Sequence, residues 1–372
     1  MLTTLSADRK TPGHATAAPL SRAAYRHRGR SVLSNATSGS TLASSRQPFI
    51  AADVGGTHVR IGLVHATGDA ARPVDVVNYR KYACAAYPGL AEIIGDFLGT
   101  LDGGTAECGV IASAGFPLED GTVITANLPW RLSPREIQQR LGLRDLRLVN
   151  DFEAVAYAAA LVGDNEVLRL TGPATASERG PTLVLGPGTG LGAAVWIPNA
   201  HGATVLATEA GQAALSAGNP LELALLERML ARQPHVPVES ALSGPGLLNL
   251  YGLLCELRGQ APAHATPGEV TAAATRGDDP LAREALEVFC GFLGSAVGDM
   301  ALLYGITGGV YLAGGILPQI REFLLQSRFV ERFLNKGPMR AALERIPVRL
   351  VEHGQLGVLG AANWYLGQTQ HA

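Results

Sequence analysis

Apolar residues occur in short runs along this chain, and turns rich in glycine separate the runs. The first run, 49–54, carries Asp53 near its end and turns at Gly55, Gly56 and Thr57 into a second run rich in β-branched residues. This pattern predicts two strands joined by a hairpin. The turn would present backbone N–H groups and a hydroxyl to an anion, and Asp53 could hold Mg²⁺ through water. An ordinary hairpin turn explains these residues equally well.

After this hairpin, runs of strand length alternate with segments whose apolar residues recur at helical spacing. Predicted strands cover 74–79, 107–113 and 145–150, and predicted helices cover 87–98 and 152–161. A further helix is predicted to begin after Ser133, because an N-cap serine, Pro134 at the first helical position and Glu136 form a typical start. Strand followed by helix, repeated, indicates an α/β architecture.

A second block repeats the opening pattern. An apolar run at 182–185 leads into a turn rich in glycine and threonine, Gly186-Pro-Gly-Thr-Gly-Leu-Gly192, and a second apolar run follows. One glycine-rich turn is weak evidence of phosphate binding. Two matched hairpins about 130 residues apart suggest a duplicated core in which each half holds phosphate from one side.

A long apolar region at 288–317 has the length of a membrane span. Asp299 interrupts it, however, and Thr307-Gly308-Gly309 would break a helix. We therefore predict a buried helix that leads into a short strand at 310–313, followed by Gly314 and Gly315.

Composition restricts the class of protein. The 372 residues suggest about two domains. A net charge of −2 and 17% charged residues lack the basic excess of a nucleic-acid binder, so neither nucleic acid nor a membrane is an expected partner. The cysteines are too far apart for zinc-ligand spacing or a disulfide framework, and fit a reducing, cytoplasmic location; they are Cys84, Cys108, Cys255 and Cys290.

Residues 1–47 differ from the rest of the chain. They contain seven Arg or Lys residues against one acid, Asp8, and have no apolar run of signal-peptide length. An organellar transit peptide, a basic disordered tail and a start site placed too early all fit this composition. We expect a disordered basic N-terminal extension without a function of its own.

Four motifs occur in the order found in the actin-like ATPase superfamily, which the chain resembles. They are Asp-Val-Gly-Gly-Thr at 53–57, Leu-Val-Asn-Asp-Phe at 148–152, the glycine-rich turn at 186–192 and Leu-Ala-Gly-Gly-Ile at 312–316. Three more narrow the resemblance to bacterial ATP-dependent glucokinase over roughly 48–366. They are Thr-Ala-Asn-Leu-Pro-Trp at 125–130, Glu-Ala-Gly-Gln at 209–212 and Glu-Ser-Ala-Leu-Ser-Gly-Pro-Gly-Leu at 239–247.

The resemblance implies an α/β fold with two domains, the actin-like ATPase (ribonuclease H-like) fold, and an active-site cleft between the domains. The small domain would span 48–161 and be completed by a C-terminal helix at 355–372, and the large domain would span 162–354. Neither the cysteine cluster of the related repressor–kinase group nor a helix–turn–helix before the first strand is present in the sequence. This pattern argues against a sugar-sensing repressor. A homodimer is expected from the family.

The resemblance also assigns site residues. Asp151 would be the general base that takes the proton of the sugar hydroxyl, and an N-cap role for Asn150-Asp151 is the alternative or coexisting interpretation. The positions that match the family's sugar ligands are Asn127, Asn150, Asp151, Glu209, Gln212 and Glu239. The positions that match its ATP-binding residues are Asp53, Gly55, Gly56, Thr57, Gly188, Thr189, Gly190, Gly314 and Gly315, the last two against adenosine. Three basic residues, Arg60, Lys81 and Arg131, are expected to be surface residues.

Two residues depart from the family pattern. His58 follows the first turn where the family has asparagine, and Gln212 stands where it has histidine. The expected activity is phosphorylation of glucose to glucose 6-phosphate, feeding glycolysis, with ATP and Mg²⁺. Alternatives are a kinase for another hexose or amino sugar, and a sensor of sugar or nucleotide with little turnover.

Overall fold

The computed structural model describes residues 47–69, 72–101, 106–118, 122–124, 128–159, 161–163, 166–176, 179–200, 202–352 and 354–370. The predicted N-terminal extension therefore lies outside the described residues, apart from its last position. The strands of the described part are β1 (Phe49–Val54), β2 (His58–Ala66), β3 (Val74–Ala83), β4 (Cys108–Ser113), β5 (Phe116–Pro117), β6 (Val123–Ile124), β7 (Asp145–Val149), β8 (Val167–Thr171), β9 (Thr182–Pro187), β10 (Leu191–Asn199), β11 (Gly202–Thr208), β12 (Gly309–Leu312) and β13 (Val348–Val351). The α-helices are α1 (Leu90–Gly99), α2 (Pro134–Leu141), α3 (Asp151–Ala159), α4 (Pro220–Leu230), α5 (Gly244–Leu257), α6 (Pro267–Arg276), α7 (Pro280–Leu303), α8 (Arg321–Gln326), α9 (Phe329–Leu334), α10 (Arg340–Leu343) and α11 (Leu356–Gln370).

The first sheet has the strand order β3-β2-β1-β4-β7. Strand β1 is antiparallel to β2 and parallel to β4, and β4 is parallel to β7. Both faces of β1 are covered: Ile50 belongs to the core on the side of α1 and α2, and Ala51 belongs to the core beneath α11. Cover on both faces explains why β1 reads as a continuous apolar run, without polar alternation.

The second sheet repeats this arrangement, in the order β11-β10-β9-β12-β13-β8. Its three antiparallel strands, β11, β10 and β9, are followed by the parallel strands β12 and β13, and β8 is added antiparallel at the edge. The prediction of a duplicated core is therefore confirmed by the topology. The extent of each domain stays a prediction.

Helix α3 contacts both sheets. Its Phe152 and Val155 pack with Val184 of β9 and Tyr311 of β12. On its other side Gly360 of α11 approaches so closely that a Cβ there would overlap the Ala154 carbonyl. The N-terminus of α3, which carries Asp151, is therefore fixed between the two halves of the fold.

Local signals in the sequence predict two helices well. The Ser133 hydroxyl accepts the Glu136 N–H at 3.3 Å and Pro134 occupies the first position of α2, as expected. The apolar region at 288–317 begins inside α7, which ends at Leu303, and continues through a turn into β12, as expected. Among the described residues, α7 alone is long and apolar enough to span a membrane, and 72% of its most apolar window is buried inside the protein.

A buried ion pair joins α4 to α9. Two nitrogens of Arg332 donate to the two oxygens of Glu222, each at 2.8 Å, and its Nε donates to the Ser295 hydroxyl of α7 at 3.0 Å. Both charged side chains are at most 4% exposed. Because each charge depends on the other for solvation, the pair fixes how these three helices pack.

Candidate active site

The first glycine turn joins β1 to β2 and is held from two sides. The Gly55 N–H donates to the His58 carbonyl at 3.1 Å, and the Cys84 N–H donates to the Thr57 carbonyl at 2.9 Å. The Cys84 thiol, buried behind the turn, donates to the Gly55 carbonyl at 3.3 Å. Since these contacts use the Gly55 amide, the N–H groups of Gly56 and Thr57 are the candidates for an anion at this turn.

Asp53 has a partner that the sequence analysis missed. The hairpin register places Arg60 directly opposite Asp53, and its Nη1 donates to Asp53 Oδ2 at 3.1 Å. The expectation that Arg60 is merely a surface residue is therefore wrong, whereas Lys81 and Arg131 are exposed as expected. Burial raises the pKa of Asp53 and Arg60 opposes that rise. The Asp53 carboxylate also lies against Gly357 of α11. A Cβ on Gly357 would be 2.5 Å from Asp53 Cγ.

The second turn, between β9 and β10, is built in the same way. The Gly188 N–H donates to the Gly190 carbonyl, and the Gly244 N–H at the start of α5 donates to the Gly188 carbonyl, both at 2.8 Å. Gly314 adjoins this turn with φ +95°, and a Cβ there would be 2.5 Å from the Pro187 carbonyl oxygen. Only glycine fits both that conformation and that approach. The next residue, Gly315, accepts from Gln319 at 2.8 Å.

Asp151 begins α3, directly after Asn150. The Asn150 Oδ1 accepts the N–H groups of Phe152 and Glu153, both at 3.0 Å, so Asn150 is the N-cap of the helix. Asp151 Oδ1 accepts the Phe152 N–H at 2.9 Å. The N-cap interpretation thus applies to Asn150, and it leaves the second oxygen of Asp151 available for other chemistry.

Asp151 lies in an environment that disfavours its negative charge. Burial raises its pKa to about 6, the hydrogen bond from Phe152 opposes this rise, and the negative charges of Asp53 and Glu209 add to it. Both acids are therefore near enough to Asp151 for their charges to act on it. A carboxyl group with a pKa near neutrality accepts a proton more effectively than an ordinary surface aspartate.

Three predicted sugar ligands come together beside the second turn. Glu209 follows β11 and its carbonyl accepts the Gln212 N–H at 2.9 Å, which forms the 3₁₀ turn Ala210–Gln212. Gln212 Nε2 donates to Glu239 Oε1 at 3.4 Å, near the outer limit for a hydrogen bond. Glu239 Oε2 in turn accepts the Leu191 N–H at 2.7 Å. A Cβ at Gly190 would be 2.5 Å from that oxygen, which explains the glycine.

Two further residues, Asn127 and Phe152, bear on the predicted site. Asn127 lies outside the described residues, so its position is untested. Phe152, which the sequence analysis did not single out, lies with its ring against Gly186 and Gly192 of the second hairpin. This contact links the start of α3 to the second turn, and the only signals for it in the sequence are small residues at 186 and 192.

A cavity of about 390 Å³ lies beside the second turn and Glu239. Its walls come from the second turn, the end of α4 and the start of α5, namely Thr189, Met229, Arg232, Gln233, Glu239, Ser240, Ser243, Pro245, Gly246 and Asn249. Volumes of this order are typical of small-molecule sites. Of the predicted site residues, Thr189 and Glu239 line this cavity, so it lies beside the second turn and one proposed sugar ligand.

The fold matches solved sugar kinases. A crystal structure of glucokinase from an Antarctic psychrotroph is 35% identical, with a TM-score of 0.74 over 86% of this chain and 98% of that one. A ROK family glucokinase from Streptomyces griseus, crystallised with glucose and AMPPNP, shares the fold at 20% identity, with a TM-score of 0.59 over 85% of this chain and 98% of that one. Duplicated sheets, paired glycine turns and an acidic region between them define a sugar kinase with the actin-like ATPase fold.

The sequence comparisons are more specific. The family model described as Glucokinase matches residues 50–368. A curated Xylella fastidiosa protein named "Glucokinase-like protein" is 58% identical over 320 residues, which cover 86% of this chain and 95% of that protein. This chain belongs to the glucokinase family, as the resemblance predicted.

Proposed function

We propose that this enzyme transfers the γ-phosphoryl group of ATP to the 6-hydroxyl of glucose, with Asp151 as the general base. The observation that carries the proposal is the position of Asp151: it begins a helix that packs against both sheets, and its pKa is raised to about 6. Phosphoryl transfer needs a carboxylate that orients the attacking hydroxyl and accepts its proton. A sensor without turnover has no need of that group, so the retained base favours the enzyme.

ATP would lie with its phosphates between the two turns. The N–H groups of Gly56, Thr57, Thr189 and Gly190 would contact phosphate oxygens, and Gly314-Gly315 would lie against the adenosine. Glycine at these positions lets the backbone approach the phosphates closely. Domains at 48–161 with 355–372 and at 162–354 would then close over the substrates and exclude water.

Mg²⁺ would bind at this site only together with ATP. The described residues contain no group of three His, Cys, Asp or Glu side chains able to hold a metal, and Asp53 already pairs with Arg60. Mg²⁺ usually keeps several waters and binds substrate phosphates with one or two carboxylates, so Asp53 would contact it through water. Bound there, the ion would neutralise charge on the transferred phosphoryl group.

Glucose would be held by the acids and amides around Asp151. Glu209 and Glu239 would accept from sugar hydroxyls, Gln212 would donate and accept, and Asn150 would use its amide NH₂ because its oxygen caps α3. Asn127 completes the proposed set by resemblance. We further propose a cytoplasmic homodimer that feeds glycolysis and binds neither nucleic acid nor membrane.

The alternative is a kinase for another hexose or an amino sugar. Two observations favour testing it: glutamine at position 212, and the cavity beside Glu239, which offers space for a substituent. The experiment is a coupled ADP-release assay with glucose, mannose, fructose, glucosamine and N-acetylglucosamine. We expect the highest kcat/KM with glucose. A higher value with another sugar would reassign the substrate, and ADP release independent of any sugar would refute the kinase.

A further inference from the structure

The two turns that carry the proposed sugar ligands are joined by a short antiparallel ladder. The Leu215 N–H donates to the Val236 carbonyl at 2.9 Å, and the Val238 N–H donates to the Ala213 carbonyl at 2.8 Å. Between these bonds Ala214 pairs with Pro237. The ladder fixes the distance between the turn at 210–212 and the turn at 238–240, because both turns adjoin the same end of it, where Ala213 is paired with Val238.

His235 precedes Val236, at the end of this ladder opposite to Gln212, and its side chain reaches Gln212 at the other end. Its Nε2 lies 2.9 Å from the Gln212 carbonyl oxygen. A carbonyl can only accept, so Nε2 carries the proton, as it does both in one neutral tautomer and in the imidazolium. In the sequence His235 lies between Pro234 and Pro237, whose fixed φ angles restrict the backbone on either side of it.

We propose that His235 is a positioning residue for sugar binding: its ring N–H holds the turn at 210–212 against the turn at 238–240. The inference rests on the proposed function, in which these turns bind the sugar. His235 itself is exposed and touches no reacting group. Its bond of 2.9 Å is shorter than the 3.4 Å contact between Gln212 and Glu239, so the turn is fixed through its backbone and the amide side chain stays available to the sugar.

The experiment compares two replacements of the ring. His235→Phe keeps the ring and removes the donor, whereas His235→Gln places an amide nitrogen the same number of bonds from Cβ. We expect the phenylalanine variant to raise the KM and the calorimetric Kd for glucose about three- to tenfold, the range for one lost hydrogen bond. The kcat and the KM for ATP should stay within twofold. The glutamine variant should recover most of the glucose affinity, and His65→Phe, an exposed residue of β2, is the matched control.

A double-mutant cycle tests whether the effect passes through Gln212. If His235 positions that side chain, Gln212→Ala and His235→Phe combined should raise KM by little more than Gln212→Ala alone. Additive effects would overturn the proposal. So would an unchanged KM in His235→Phe, or a fall in kcat with KM preserved, or a lowered Tm as the only change.

Measuring KM for glucose in these variants together also distinguishes a failure of the positioning role from a failure of the proposed function. Glu239→Gln and Gln212→Ala alter proposed sugar ligands directly and should both raise KM for glucose. If neither does, the sugar site is wrongly assigned, whatever His235→Phe shows. If both do and His235→Phe does not, the positioning role alone is refuted.

Discussion

Replacing Asp151 by asparagine should reduce activity and increase stability at the same time. The amide keeps the shape of the side chain and can still accept the Phe152 N–H through its oxygen. It cannot accept the proton of the sugar hydroxyl. A general base typically contributes about 10²–10⁴-fold to the rate, so kcat should fall by that factor. Glucose affinity should change by no more than several-fold.

The gain in stability follows from the pKa. Burial raises the Asp151 pKa from 3.8 to about 6, so the folded protein resists ionisation of this group. At pH 7 the ionised side chain therefore costs the fold about 3 kcal/mol relative to a neutral one. Asparagine removes this cost, and the variant should be more stable at pH 7 by up to that amount.

The difference in free energy of unfolding between Asp151→Asn and the wild type should depend on pH. A raised folded-state pKa means that Asp151 destabilises the wild type progressively as pH rises from 3.8 to about 6. The stability difference between variant and wild type should therefore be about 1.5 kcal/mol at pH 5 and about 3 kcal/mol at pH 7. Over the same range kcat/KM of the wild type should fall about tenfold for each pH unit below about 6.

Urea denaturation at pH 5, 6, 7 and 8 and steady-state kinetics on the same preparations measure both effects. A variant that retains more than about a tenth of wild-type kcat would refute Asp151 as the base. A stability difference that does not change between pH 5 and pH 7 would refute the raised pKa. Loss of both activity and stability would mean that the carboxylate is a structural group.

Three other replacements have defined outcomes. Arg332→Met should leave Glu222 buried without its partner and lower stability by about 3–5 kcal/mol, measured by denaturation, and Glu222→Met in the same protein should restore much of the loss. Gly192→Ala would place a Cβ inside the ring of Phe152, so we expect a loss of about 1–3 kcal/mol and a lower kcat, whereas unchanged kinetics would show that the ring moves freely. Gln212→His should lower KM for glucose several-fold, because a histidine fixes fewer rotatable bonds on binding; a higher KM would mean that glutamine selects another sugar.

The strand–turn–strand motifs were predictable because each depends on neighbouring residues. Glycines and threonines at fixed spacing specify the turns, and the N-cap, proline and glutamate at 133–136 specify the start of α2. The pairing of Arg60 with Asp53 was also derivable, since a hairpin that turns at 55–58 sets residues 53 and 60 opposite each other.

Other contacts depend on the tertiary fold and leave little local signal. Phe152 meets Gly186 and Gly192 only because α3 crosses between the sheets. His235 reaches Gln212 from 23 positions further along the chain. In the sequence each of these residues looks like an ordinary core or surface position, so its partner cannot be identified without the structure.

The position of α11 has a consequence for the order of folding during synthesis. Residues 358–366 complete the core on one face of the first sheet, beneath Ala51, Val110 and their neighbours. The ribosome makes β1 early and α11 after the whole second sheet, so that apolar face lacks its cover until nearly all of the chain has emerged. Domains made during translation commonly fold with the N-terminal one first, but here the second half has its core residues complete before α11 is made. The half that carries Asp151 therefore matures last, and a nascent chain that stalls before α11 would expose a sheet prone to association.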